Sequence, residues 1–340
     1  MIRFRTGQLA GITIAASLLF SCSDDLRKDH SWRKDMLPEH FPEPVYSIDP
    51  DTLSEEVVAL GRDLFYDNLL SSDSSISCGT CHAQTHAFAG HGTPISAGVH
   101  GRLGTRNTPG LSNLAWHNSY MLDGGINHLD LVPIAPITAF FEMDLSLNEA
   151  IHRLNSSPYK ARFQRVYNTD SVHTKVLMKV LTAFELTLVS ADSKYDRVVL
   201  GDSVFTEVEE RGEVLFQSNC ASCHTPPLFS DFSYANHGFE WPSTDAGRGR
   251  ITLAAEDSGA FKVPSLRNAA LTHPYMHDGS VYSLEEVLDR YSDGILVHSN
   301  LDPRIEGPMH FSDEEKAALI AFIHTLTDYT LNTNPRHSAP

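Results

Sequence analysis

The sequence predicts a mostly α-helical chain in which two units, related by internal duplication, are joined and covered by long irregular loops. Three observations carry that reading. Two blocks recur at a fixed offset of 155: Pro109-Gly-Leu111-Ser-Asn113-Leu-Ala115 matches Pro264-Ser-Leu266-Arg-Asn268-Ala-Ala270, and Tyr120-Met121-Leu122-Asp123-Gly124 matches Tyr275-Met276-His277-Asp278-Gly279. Apolar residues return at helical spacing behind Ser-x-x-Glu capping signals. No stretch alternates well enough to be read as a sheet. At 340 residues and 41% apolar, the chain can bury a core for two domains of ordinary size. Its 26 basic and 43 acidic residues give a formal net charge of −17, which argues against nucleic acid and favours a basic protein partner at low salt.

In chain order, Arg3 and Arg5 precede an apolar run from Leu9 to Phe20. That run is too short to span a bilayer, which takes about 20 residues, but it suits a secretory signal. It ends in Leu19-Phe20-Ser21-Cys22, which resembles the lipobox of bacterial lipoproteins. Residues 1–21 are therefore expected to be cleaved and Cys22 lipidated, leaving a net charge of −19. Ser23-Asp24-Asp25 resembles the acidic tag of surface lipoproteins. The expected location is extracytoplasmic, anchored by lipid alone to the bacterial outer membrane and facing the periplasm or the cell surface. Residues 22–45 are polar, carry Pro38, Pro42 and Pro44, and read as a tether.

The first unit spans 46–195. Ser54 is placed to cap a helix ending near Phe65, Ser146/Glu149 opens another, and Lys175–Val189 has helical apolar spacing. The second unit spans 196–335, and its Gly212-Glu-Val-Leu215-Phe216 echoes Gly61-Arg-Asp-Leu64-Phe65. Ser283/Glu286 and Ser312/Glu315 open two further helices, the latter running through Glu314–Leu326. The loops Ala89–Pro109 and Pro226–Pro264 are far longer than ordinary connections, which marks them as functional or wrapped around something.

Beyond Cys22, every cysteine falls in one of two patterns, Cys78-Gly-Thr-Cys81-His82 and Cys220-Ala-Ser-Cys223-His224. Two thiols three residues apart reach both vinyl groups of one haem, and the next histidine is then held under the iron. A redox dithiol or a zinc site explains neither histidine. Two covalent haems c are therefore expected, with His82 and His224 as proximal ligands. For the far side of the second iron the chain offers Met276, His277, Tyr291, His298 and Met309. Met276 has a twin in Met121, which points to a structural role shared by both units. Tyr291, on the helix begun by Ser283, is met by Pro136 in the first unit and so suits a property that differs between the two.

With these motifs stand Arg106-Asn107-Thr108-Pro109, Glu142-Met143 and Val263-Pro264-Ser265-Leu266-Arg267-Asn268. Over nearly the whole chain after the tether, they resemble the bacterial dihaem cytochrome c peroxidase family, which includes the MauG branch. The resemblance implies two cytochrome-c-like helical haem domains around a bound calcium. It implies that the first haem meets hydrogen peroxide, and that the second relays electrons from a small cytochrome or cupredoxin. It matches Glu142 to the distal glutamate that moves protons, a role a positioned carboxylate suits, and Phe140-Phe141 before it suggest a buried setting. It matches Asn107, with the carbonyls of Thr272 and Pro274, to a Ca²⁺ site of oxygen ligands. It also implies a homodimer.

The sequence departs from the peroxidase pattern at four places. Val99 stands where the family has a switchable histidine, although His100 is adjacent. Leu122 replaces an inter-haem tryptophan, Val132 replaces a distal glutamine, and Tyr291 stands where MauG has tyrosine and electron-accepting peroxidases have methionine. The first haem is thus expected to be open or weakly ligated by His100, and the second to be held by His224 and Tyr291. Peroxide reduction to water is the leading activity. A MauG-like oxidase acting on an organic or protein substrate, and a non-catalytic electron-transfer cytochrome, are the rivals. His86, His91, His117, His128 and His237 receive no role, and Trp116 and Trp241 read as packing residues beside the haems.

Overall fold

The computed structural model describes Met1, residues 36–48 and residues 53–340. The signal segment, Cys22, Ser23-Asp24-Asp25 and the beginning of the tether lie outside the described residues. The first unit contains α1 (Glu55–Tyr66), α2 (Cys78–Cys81), α3 (Ile134–Thr138), α4 (Leu147–Asn155), α5 (Tyr159–Tyr167) and α6 (Thr174–Glu185). Helix α7 (Lys194–Val199) links it to the second unit. There follow α8 (Glu207–Asn219), strand β1 (Tyr234–Ala235), α9 (Gly249–Thr252), strand β2 (Phe261–Lys262), α10 (Leu284–Asp293), α11 (Asp313–His324) and α12 (Tyr329–Thr333). The fold is mostly helical, as expected, and the two short strands pair antiparallel.

Each unit is organised on one helix crossing, α1 over α6 and α8 over α11. The repeated glycine explains the approach. A Cβ on Gly61 would fall inside the contact distance of the Val180 carbonyl oxygen, and one on Gly212 would do the same to Ala318. Glycine is a poor helix residue, costing about 1 kcal/mol against alanine, so its use here follows from the close crossing. Leu60, Leu64, Phe65 and Phe184 fill the first core, and Phe216, Phe229, Leu319 and Phe322 the second. Ser54, Ser146, Ser283 and Ser312 all cap the helices they were expected to open. Helix α6 stops at Glu185, before Val189, and α11 stops at His324. In both places a threonine hydroxyl closes the end, Thr187 on the Phe184 carbonyl at 2.7 Å and Thr325 on the Phe322 carbonyl at 2.6 Å.

The two units exchange loops in a reciprocal way. In each, the Tyr-Met-x-Asp-Gly block forms a turn with left-handed Met and Gly residues: φ is 67° at Met121 and 72° at Met276. The shared role expected of this methionine pair is backbone geometry. Tyr234 of the second unit occupies the space where a Cβ on Gly124 would stand, and Pro94 of the first does so at Gly279. Ionic contacts reinforce this. Arg106 bonds Asp245 in the second unit with two hydrogen bonds of 2.7 and 2.8 Å and bonds buried Asp123 at 2.6 Å, and Arg250 also reaches Asp123. The long loops thus form the interface.

The tether reading needs correction from Met36 onward. Met36 is buried, and Phe41 and Tyr46 pack on the first core. Trp116 Nε1 donates to the Pro42 carbonyl at 2.7 Å, and Tyr46 N donates to the Ala115 carbonyl at 2.8 Å. His40 Nε2 meets Asp196 at 2.9 Å. Apolar anchors spaced among the prolines bind a segment whose overall polarity suggested free solvation. The other end of the chain also returns to the first unit, where Gln84 Nε2 donates to the carbonyls of Leu331 and Asn334.

Candidate functional site

The site begins at the helix ends that carry the cysteines. Ser77 opens α2, a single turn that sets Cys78 and Cys81 three residues apart, and His82 follows it. The second motif continues from the end of α8, where the Cys220 N–H bonds the Phe216 carbonyl. All four thiols are free. Burial pushes Cys78 and Cys220 up to about 12. His82 Nδ1 donates to the Phe88 carbonyl at 2.8 Å, and His224 Nδ1 faces the carbonyls of Phe229 at 3.2 Å and Pro264 at 3.0 Å. A carbonyl only accepts, so Nδ1 carries the proton and each Nε2 lone pair is left for iron. Burial lowers both imidazoles, His82 to about 4, which keeps them neutral as ligands must be. The residues present fit two covalent haems.

On the first site, Val99 is fully buried, and its N–H donates to the Glu142 carbonyl at 2.8 Å. Gly98 permits this approach, because a Cβ there would meet the Phe141 and Glu142 carbonyl oxygens. The Glu142 carboxyl is raised by burial and is near enough to Cys78 and Cys81 to raise both thiols. The setting differs from expectation in one respect: Phe140 and Phe141 are 63% and 44% exposed. The Arg102 guanidinium covers the Phe140 ring at 3.7 Å, and the Glu142 backbone is tied to the Val99 loop. His100 is corrected as a ligand candidate. Its side chain is 53% exposed and stands 3.3 Å from Asp73, because a left-handed φ of 57° turns it outward.

On the second site, Tyr291 lies on α10 with its ring edge to Phe239 at 4.8 Å. Burial raises its phenol, and the Cys220 and Cys223 thiols add to that. Met276 belongs to the left-handed turn. His298 stacks on Trp241 at 4.1 Å and His277 on Phe261 at 4.1 Å. Met309 meets Tyr291 through a backbone bond of 3.0 Å. Trp241 is 40% exposed and is a surface partner of His298, whereas Trp116 is the buried packing residue expected. Leu122 lies at the interface, its carbonyl accepting from Lys262 N at 2.8 Å, and Val132 lines the first core.

Asn107 sits between the units: its N–H donates to the His277 carbonyl at 2.7 Å and its Nδ2 to the Pro94 carbonyl at 2.8 Å. Among the described residues, no group of three or more His, Cys, Asp or Glu side chains is arranged to hold a metal ion. Sequence reasoning missed Glu185, a buried carboxyl at the end of α6. Its signal was an acid on the apolar face of a strongly periodic run.

The family model described as di-haem cytochrome c peroxidase matches residues 55–204, and the cytochrome c model matches residues 209–327. Methylamine utilization protein MauG of Methylorubrum extorquens is 35% identical over 296 residues, covering 85% of this chain and 82% of that protein. Cytochrome c551 peroxidase of Nitrosomonas europaea is 31% identical over 292 residues, covering 84% and 83% of the two chains. A solved MauG-like protein associated with microbial copper homeostasis superimposes with a TM-score of 0.83 at 31% identity, covering 89% of this chain and 98% of its own.

Proposed function

The chain belongs to the di-haem cytochrome c peroxidase family, and from that premise we propose that it reduces hydrogen peroxide to water at the His82 haem. Electrons pass through the His224 haem from a donor such as a small cytochrome or cupredoxin. The observation that carries this reading is the Glu142 carboxyl, lifted by burial, on a backbone bonded to buried Val99, which offers no ligand. When bound, haem supplies the iron that exchanges electrons with peroxide. Glu142 takes the proton from one peroxide oxygen and returns it to the departing one. Val99 and Met143, both buried, exclude water around it.

Tyr291 favours a second reading, a MauG-like oxidase acting on an organic or protein substrate. An anionic oxygen ligand stabilises the more oxidised iron, so a His224/Tyr291 pair accepts electrons from a high-potential donor less readily. One Ca²⁺ at Asn107 and the carbonyls of Thr272 and Pro274 belongs to the proposal. Those two carbonyls accept no backbone hydrogen bond among the described residues, which leaves them available to a hard cation. So do lipid attachment at Cys22, an extracytoplasmic face of the bacterial outer membrane, and a homodimer.

Low-temperature EPR of the ferric protein, wild type beside Tyr291→Phe, tests the assignment with one equivalent of peroxide. The expected result is a high-spin haem that reacts with peroxide beside a low-spin haem altered only in the variant. Two low-spin haems, both inert to peroxide after partial reduction with calcium present, would overturn the enzyme reading and leave an electron carrier.

A further inference from the structure

Three histidines outside both haem sites come together where the first unit meets the second. The His86 ring centre lies 6.0 Å from that of His91 and 6.2 Å from that of His273. His86 and His91 follow the first haem motif, whereas His273 stands between the two recurring blocks of the second unit. The histidines that pair with carboxylates among the described residues are His40, His100 and His310. In a chain with 43 acidic residues, these three face one another instead. Three imidazoles so placed repel when protonated, and burial adds to the charges of His91 and His273 in holding His86 below its ordinary value. Neutral imidazole is the form that binds metal.

The backbone fixes two of the three positions. The Ala89 N–H donates to the His86 carbonyl at 2.9 Å and the Gly90 N–H to the Thr108 carbonyl at 3.1 Å. Next to Thr108, the Asn107 N–H donates to the His277 carbonyl of the second unit at 2.7 Å, which ties this loop to the segment of His273. His86 Nδ1 meets the Thr85 hydroxyl at 3.0 Å; with Nδ1 as donor, the Nε2 lone pair is free. His91 is exposed between Gly90 and Gly92, with open space beside Gly92, so its side chain has room to turn. The rings as they stand do not converge on one point. Two imidazoles bound tetrahedrally to one ion, each nitrogen about 2.0–2.1 Å from it, have ring centres about 5 Å apart. The spacings of 6.0 and 6.2 Å exceed that by about 1 Å, a gap that side-chain rotation closes.

We propose that His86, His91 and His273 form a binding site for one divalent transition-metal ion of the zinc or copper class, which clasps the two units together. Imidazole nitrogen suits these ions, whereas Ca²⁺ takes oxygen ligands. A water completes the four-coordinate shell. The site is independent of the peroxide reading, since none of the three histidines is placed at either haem.

The test uses the dihaem holoprotein, stripped with EDTA and returned to excess Ca²⁺ so that sites of oxygen ligands are filled. Zn²⁺ is then titrated by calorimetry into wild type and into His86→Ala, His91→Ala, His273→Ala and His310→Ala. Wild type is expected to take up one Zn²⁺ per chain and to melt at a higher temperature with it. Zinc X-ray absorption should show imidazole nitrogens at about 2.0–2.1 Å. Loss of an outer partner of a metal ligand costs 10–100-fold in affinity, so loss of a ligand itself should cost at least about tenfold in each of the first three variants. His310→Ala, an exposed histidine paired with Asp293, should bind as wild type does. No Zn²⁺ uptake in the presence of Ca²⁺ overturns the proposal. So does His91→Ala with wild-type affinity, which decides the matter even if His86→Ala does not fold. His273→Ala with wild-type affinity and the same rise in melting temperature overturns the bridge between the units.

Discussion

Asp196→Asn isolates the charge that ties the linker helix to the second unit. Both carboxylate oxygens meet Arg267, at 2.6 and 2.8 Å, and neither side chain is exposed to solvent. Ser193 donates its N–H and hydroxyl to the same carboxylate at 2.8 and 2.7 Å, and His40 approaches at 2.9 Å. Burial alone would raise this carboxyl; the bonds and charge of Arg267, with Ser193, outweigh it and hold the group at about 2. Against its ordinary value of 3.8, that is worth about 2 kcal/mol of stability. The folded value lies below the unfolded one. The stabilisation is therefore complete above pH 4 and lost as pH falls toward 2. Substitution also leaves the buried Arg267 guanidinium without its counter-charge, for a total cost of about 3–5 kcal/mol at neutral pH. Urea unfolding of the holoprotein, followed by circular dichroism from pH 7 down to pH 2, reads both terms. The gap between wild type and variant should narrow by about 2 kcal/mol below pH 4. A gap that stays constant with pH, or a variant as stable as wild type at pH 7, would refute this account of the pair.

Glu142→Gln is expected to lower kcat/KM for peroxide by about 10²–10⁴. Because burial raises the carboxyl, the acid limb of the wild-type profile should lie above the usual glutamate value near 4.3, and the variant should lack it; a limb that persists assigns it elsewhere. Gly61→Ala and Gly212→Ala each gain about 1 kcal/mol of helix propensity but lose about 1–3 kcal/mol to overpacking. The new Cβ would stand 3.0 Å from that of Phe184 or 2.8 Å from that of Phe322. Both should shift urea midpoints downward by similar amounts, and a stabilised variant would show that the helices can part. His100→Ala should leave the EPR of the first haem unchanged, since the imidazole faces Asp73 and solvent; a new high-spin signal would make it a ligand.

The features that were legible in the sequence depend on local chemistry or on exact repetition. Cys-x-x-Cys-His declares its cofactor because the spacing is fixed by the haem, and the capping serines declare helix starts because the bond spans three residues. What was not legible depends on partners far apart in the chain. Asp196 finds Arg267 across 71 residues, and Trp116 finds Pro42 across 74. Composition made the second of these segments a tether although its few apolar residues anchor it. Glu185 was hidden for a related reason: its place on an apolar face was visible, but its burial was not.

The duplication itself shows how the two units came to differ. The second carries 13 more residues than the first between its haem motif and the recurring block. That stretch supplies Tyr234 against Gly124, Asp245 against Arg106, and Lys262 against the Leu122 and Ser119 carbonyls. The first unit's shorter loop returns Pro94 and Asn107 to the second unit's turn. The larger loop therefore packs against Leu122, and it carries a lysine whose amine is lowered to about 8 by burial. The extra length in the second unit thus supplies contacts that join it to the first.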